Sequence, residues 1–135
     1  MSKNFLDGEK VKYTEGTFDS GERYFNIPQR LNSGATVNVI VVFSAAKVKI
    51  MILGIAEIAD KDKQVACYKL FNDFNLRYSF FKMCLRPDNA VCIDSDFPLE
   101  LMDGELQPRK LMEFVAASLF FADKVYPEIM KIRWA

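Results

Sequence analysis

Apolar and polar positions alternate over two neighbouring stretches of the chain. In Thr36 to Phe43 the residues Val37, Val39, Val41 and Phe43 fall on one side, and in Lys47 to Ala56 the residues Val48, Ile50 and Ile52 do the same. A period of two marks a half-buried strand. The opposite sides are also apolar, with Ile40 and Val42 in the first stretch and Met51, Leu53 and Ile55 in the second. Strands with two apolar faces need cover on both. Upstream, Glu22 to Leu31 sets Phe25, Ile27 and Leu31 on one face. Pro28 has no N–H to give to a ladder, so this strand is expected at an edge. Asn32-Ser33-Gly34 supplies the turn that follows. Residues 1–21 are polar and dotted with Gly8, Gly16 and Gly21, and they read as a short helical start, Ser2 to Tyr13, and then a loop.

The period then changes. Cys67, Leu70, Phe71 and Phe74 fall at i, i+3, i+4 and i+7, the single stripe of a helix. Asp60 is placed to cap its N-terminus, Asp62 suits the dipole in its first turn, and Asn75 is a plausible stop. Ser79 to Arg86 and Ala90 to Phe97 alternate again around Pro87-Asp88-Asn89, the clearest hairpin in the sequence. An acidic loop, 98–107, leads to Pro108, which opens a last helix running to about Tyr126, where Pro127 ends or kinks it. That helix carries Leu111, Val115, Leu119, Ala122 and Tyr126 in one stripe and Phe114, Phe121 and Val125 in another. The arc is too wide for a helix lying on a sheet with its back in water. The predicted fold is α+β: a five-stranded antiparallel sheet in the order β-β-β-α-β-β-α, with a short helix ahead of it and the helices packed on one face.

Composition adds constraints. The 135 residues suit one domain, read here as 1–135, and half of them are apolar, enough for a real core. Eighteen basic residues balance eighteen acidic ones. The short pairs Lys47 with Lys49 and Lys61 with Lys63 do not make the basic face that nucleic acid requires, so no nucleic-acid partner is expected. Cys67, Cys84 and Cys92 are an odd number without C-x-x-C spacing, and the start of the chain lacks an apolar leader, so a reduced, cytoplasmic setting is expected. The apolar run Phe114 to Ala122 is far shorter than the ~20 residues that span a bilayer, so no membrane partner is expected either.

Candidate chemistry is sparse. The chain has no histidine, which removes the usual general base and the commonest metal ligand. It has no phosphate-cradling glycine loop. We therefore expect no catalytic residues, no cofactor and no metal centre. Asp94, Asp96, Glu100, Asp103 and Glu105 are the best metal candidates, but they lack calcium-loop spacing and read as a solvated acidic rim. Cys84 and Cys92 can face each other across the hairpin and read as reduced thiols rather than a redox pair. Asn72 and Asn75 are three apart on the helix, and their amides are expected to satisfy backbone groups where it ends; Asn72→Ala should then cost about 1 kcal/mol. Ile40, Val42, Met51, Leu53 and Ile55 on the strands, with Phe114, Phe120, Phe121 and Trp134 toward the C-terminus, exceed a minimal core. They are the candidate interaction surface, weighed against packing within the monomer.

Leu70-Phe71-Asn72-Asp73-Phe74-Asn75 followed by an aromatic-rich strand resembles the "LN-x-LN" helix end of YbjN-type proteins. Ala122-Asp123 with Tyr126-Pro127 is similar to that family's C-terminus, and the element order agrees from about residue 20 to residue 134. Such proteins usually begin with a fuller N-terminal helix than Ser2 to Tyr13 provides. The resemblance implies a bacterial protein with the fold shared with type III secretion chaperones, in a family mostly uncharacterised and partly linked to regulation. It transfers no catalytic residue. The expectation is a non-enzymatic, protein-binding or chaperone-like regulatory module that forms a homodimer and binds a client or regulatory protein. The alternative is a sensory or regulatory domain holding a small apolar ligand between helix and sheet, in a pocket lined by Phe74, Phe81, Phe114 and Leu111.

Overall fold

The computed structural model describes residues 13–44, 47–98 and 108–135. Six strands, β1 (Thr14–Thr17), β2 (Arg23–Arg30), β3 (Thr36–Phe43), β4 (Lys47–Leu53), β5 (Lys82–Leu85) and β6 (Val91–Pro98), form one sheet in the order β1-β2-β3-β4-β6-β5. Every pairing is antiparallel. Two helices, α1 (Lys61–Arg77) and α2 (Pro108–Arg133), cover one side.

Register shows why that side is the core. Ile27, Val39, Ile52, Ile93 and Met83 are successive cross-strand partners, and Phe25, Val41 and Ile50 form the next row. All eight are buried. Because side chains alternate with a period of two, both rows point the same way. Onto them pack Cys67, Phe71 and Phe74 from α1 and Leu111, Val115, Val125 and Ile129 from α2. Each such aliphatic or aromatic burial contributes about 1.5–3 kcal/mol.

The α+β class and the helices on one face stand, with one correction: the sheet has six strands, not five. β1 falls where the sequence predicts a loop, because Thr14-Glu15-Gly16-Thr17 has no apolar alternation. It is a strand by backbone pairing to Arg23–Asn26, brought back by a tight turn in which Phe18 N–H donates to Glu22 O and Gly21 takes a positive φ of 91°. Gly16 leaves the space that the Tyr24 ring occupies. Among the described residues β1 begins opposite Asn26, which leaves Pro28 paired on one side only, with Asn38 of β3, as proline requires.

α1 starts where expected, with Asp60 accepting from the N–H groups of Asp62 and Lys63 at 2.9 and 3.1 Å. It runs two residues beyond Asn75, to Arg77, whose guanidinium pairs with Asp73 at 2.9 Å. α2 does not stop at Tyr126 but passes through Pro127. An interior proline costs about 3 kcal/mol. Offsetting it, the turn beyond buries Ile129 completely, and Lys63 Nζ donates to the Arg133 carbonyl at 2.7 Å. The helices run antiparallel, Lys63 meeting Arg133 at one end and Tyr78 meeting Phe121 at the other. Apart from Tyr13, the N-terminal helix expected over Ser2–Tyr13 lies outside the described residues, as do Glu100, Asp103 and Glu105 of the acidic loop.

Candidate functional site

Three places concentrate chemistry. The first is the end of α1. β5 is an edge strand, so the N–H and C=O of Met83 point away from β6 and need partners. Asn75 supplies both: its Oδ1 accepts from Met83 N–H at 2.8 Å and its Nδ2 donates to Met83 O at 3.2 Å. The side-chain amide thus imitates a seventh strand at that position and closes the edge. Lys82 Nζ adds bonds to the carbonyls of Asn75 and Tyr78, at 3.0 and 3.2 Å, which satisfies the orphan carbonyls at the helix end. Asn72 takes no part. It is exposed and its side chain makes no hydrogen bond among the described residues, so of the two amides only Asn75 takes the role expected of both.

The second place is the outer side of the helix layer. Leu76 is 79% exposed, Trp134 74%, Phe120 67% and Phe80 59%. Val65 and Tyr68 add to them on α1. Below this surface, Phe121 lies 4.9 Å from both Tyr78 and Phe81, and Phe97 stacks on Phe114 at 3.8 Å. Three cations sit over the rings: Arg77 at 4.8 Å from Phe74, Lys124 at 5.4 Å from Phe120 and 5.8 Å from Tyr78, and Arg133 at 5.1 Å from Trp134. Nearer the other end, an open groove of about 390 Å³ runs between the helices, lined by Ala66, Leu70 and Ile132 with Lys63, Glu128 and Lys131 at its rim.

The candidate surface residues therefore divide. Phe120 and Trp134 are exposed on α2 and after it. Phe121 is core, and Phe114 is half-buried against Phe97. Ile55 is core as well: Gly54, at a φ of 83°, breaks the alternation of β4 and turns Ile55 away from the side shared by Met51 and Leu53. Met51 and Leu53 are half-buried on the sheet face away from the helices, and Ile40 and Val42 are buried there, flanked by Asn26 and Met51 and by Tyr24 and Lys49. None of the four residues expected to line a ligand pocket lines the groove between the helices. Phe74 and Leu111 are core, and Phe81 and Phe114 stack on other rings. Leu76, Phe80, Val65 and Tyr68 are the exposed residues that sequence reasoning missed. For Val65, Tyr68 and Leu76 the signal was the face of α1 away from Cys67, Phe71 and Phe74, hidden for Leu76 by ending the helix at Asn75, and Phe80 lies beyond the helix.

The third place is on the far sheet face. Asp94 and Asp96 share that face, with Lys49 at 4.0 Å from Asp94 and Lys47 at 3.8 Å from Asp96. Cys84 stands opposite Cys92 in the register, and the Cys92 thiol donates to Asp94 Oδ1 at 2.9 Å. Burial pushes the Cys92 thiol well above the ordinary range, helped by the bond to Asp94 and its charge. Partial burial and the same carboxylate raise Cys84, although its side chain reaches solvent. Cys67 is raised by burial in the core. Nothing here makes a thiolate nucleophile, which needs a lowered pKa.

Residues 33–131, about three quarters of the chain, match the model of a family described as "Putative bacterial sensory transduction regulator", the YbjN family. No curated protein and no solved structure matches the chain.

Proposed function

The chain belongs to the YbjN family, and from that premise we propose that it is a non-enzymatic regulatory module that acts by binding protein. The outer side of the helix layer is the contact surface, and a second copy of the chain is its first partner. The observation that carries this reading is the exposure of Leu76, Phe120 and Trp134, each more than two thirds open to solvent. Leu76 and Phe120 lie toward the end of the layer where Tyr78 meets Phe121, and contiguous exposed apolar patches mark interaction surfaces. Arg77 and Lys124, held over aromatic rings beside them, fit the aromatic and arginine bias of such surfaces. The type III secretion chaperone fold that the family resemblance implies favours the same use, and we propose a client or regulatory protein as a further partner. A chain without histidine, whose Asp94 and Asp96 are ion-paired to lysines, offers little to catalysis. The setting we propose is the cytoplasm, where three free thiols persist. Among the described residues, no helix is long and apolar enough to cross a membrane.

Light scattering over a tenfold concentration range tests the reading. The expected mass is twice 15.5 kDa, falling to the single value in the double variant Leu76→Glu, Phe120→Glu. Both side chains are exposed, so the variant keeps its fold. A clean monomer at the highest concentration sinks the homodimer and leaves the surface to another protein.

A further inference from the structure

We propose that Cys84, Cys92 and Asp94 form a binding site for one thiophilic divalent cation, with zinc the ion their chemistry fits. The inference does not rest on the regulatory reading above. The two thiols and the carboxylate come from the two strands of one hairpin. Cys84 and Cys92 are cross-strand partners, and Asp94, two residues further along β6, projects from the same face because strand side chains alternate. Their sulfur and oxygen atoms all lie within 4.8 Å of one another. Two sulfurs bound to a single zinc at about 2.3 Å can be no more than about 4.6 Å apart. At the tetrahedral angle the two sulfurs would sit roughly 3.8 Å apart, a distance that side-chain rotations of about an ångström bring within reach.

The surroundings are built in the way metal sites are built. The Asp94 carboxylate divides its oxygens: Oδ1 turns to the Cys92 thiol and Oδ2 faces Lys49. An outer partner of this kind orients a ligand and balances the charge of the thiolates. Lys82, the cross-strand partner of Asp94, does not compete, since its ammonium is bound to the carbonyls of Asn75 and Tyr78. The hairpin is closed by Arg86 N–H to Ala90 O at 2.9 Å and Asn89 N–H to Arg86 O at 2.8 Å, and its outer edge is held by Asn75. Cys92 is buried while Cys84 is exposed, which gives an ion access from solvent and leaves a fourth position to water.

Ligand type selects the ion. Two sulfurs and one oxygen suit zinc, or cobalt and cadmium as probes, and do not suit calcium or magnesium, which want six or more oxygens. Thiols carry their protons at neutral pH, so capture of M²⁺ by two Cys–SH groups forms two metal–sulfur bonds and releases two protons to solvent.

The test is titration of reduced, metal-free protein with cobalt(II), followed by displacement with zinc(II). The expected result is a sulfur-to-cobalt charge-transfer band that saturates at one ion per chain and vanishes as zinc enters. Cys84→Ser, at an exposed position, keeps the fold and should weaken binding by about tenfold or more, since losing even an outer-shell partner costs about 10–100-fold. Asp94→Asn should weaken it comparably, and Cys67→Ala, in the core away from the hairpin, should leave band and stoichiometry intact. Absence of the band overturns the proposal. So does a band of equal strength in Cys84→Ser, which would mean that Cys84 is not a ligand.

Discussion

Asn75 and Asn72 look alike in the sequence, and their fates differ. Both are polar, both lie near the end of α1, and spacing alone allowed either to serve the backbone beyond it. What decides is the position of β5, whose outward Met83 N–H and C=O come within reach of residue 75 and leave residue 72 in solvent. Sequence could tell that an amide was wanted there; it could not tell which, because the choice depends on how a strand five residues downstream of the helix packs against it. Asn75→Ala removes two hydrogen bonds and leaves both groups of Met83 half-buried and unpaired, so it should lower unfolding stability by about 1–3 kcal/mol. Asn72→Ala, the change first expected to cost about 1 kcal/mol, should fall within about 0.5 kcal/mol of wild type, as exposed substitutions do. Urea unfolding of the two variants side by side checks the assignment, and equal losses would refute it.

Among the elements, those with a strong apolar period were legible and those made by the backbone alone were not. β3 and the β5–β6 hairpin read correctly because their alternation matches the pleat, and α1 because its stripe and its Asp60 cap agree. β1 had no such period, and β4 ended early because Gly54 interrupts it. α2 is the instructive case. Local rules stop it at Pro127, but tertiary packing of Ile129 and the Lys63 bond to Arg133 carry it on to the end of the chain. The helix therefore bears a local penalty that packing offsets, and the penalty should be recoverable. Pro127→Ala restores a donor to the Asp123 carbonyl and removes the ring's clash with that turn. Pro127 is exposed, so no core contact is lost. Stability should rise by about 1–3 kcal/mol, read as a higher melting temperature. A fall would mean that α2 needs a bend there to reach the sheet and Lys63 together.

At the scale of the whole molecule, the sequence announced surplus apolar surface on strands and helices alike, and the fold exposes Phe120 and Trp134 of that set while burying Ile40, Val42, Ile55 and Phe121. Counting apolar residues cannot separate Phe120 from Phe121, adjacent on one helix, of which one faces solvent and the other fills the space beneath Tyr78 and Phe81. The most exposed of those side chains lie on the helix side, and this decides what association should look like. The chain carries equal numbers of acidic and basic residues, so long-range charge neither drives nor opposes self-association. Contacts through Leu76, Phe120 and Trp134 should be hydrophobic, insensitive to screening and strengthened by sulfate, which is excluded from protein surface. Contacts through Arg77 and Lys124 would instead weaken as the Debye length shrinks from about 10 Å at 0.1 M salt to about 3 Å at 1 M. Light scattering at those two ionic strengths, and again in ammonium sulfate, separates the two. We expect a dimer fraction that holds in 1 M sodium chloride and grows in sulfate. Dissociation in sodium chloride would transfer the contact to the cations and remove the apolar side chains from the centre of the interface.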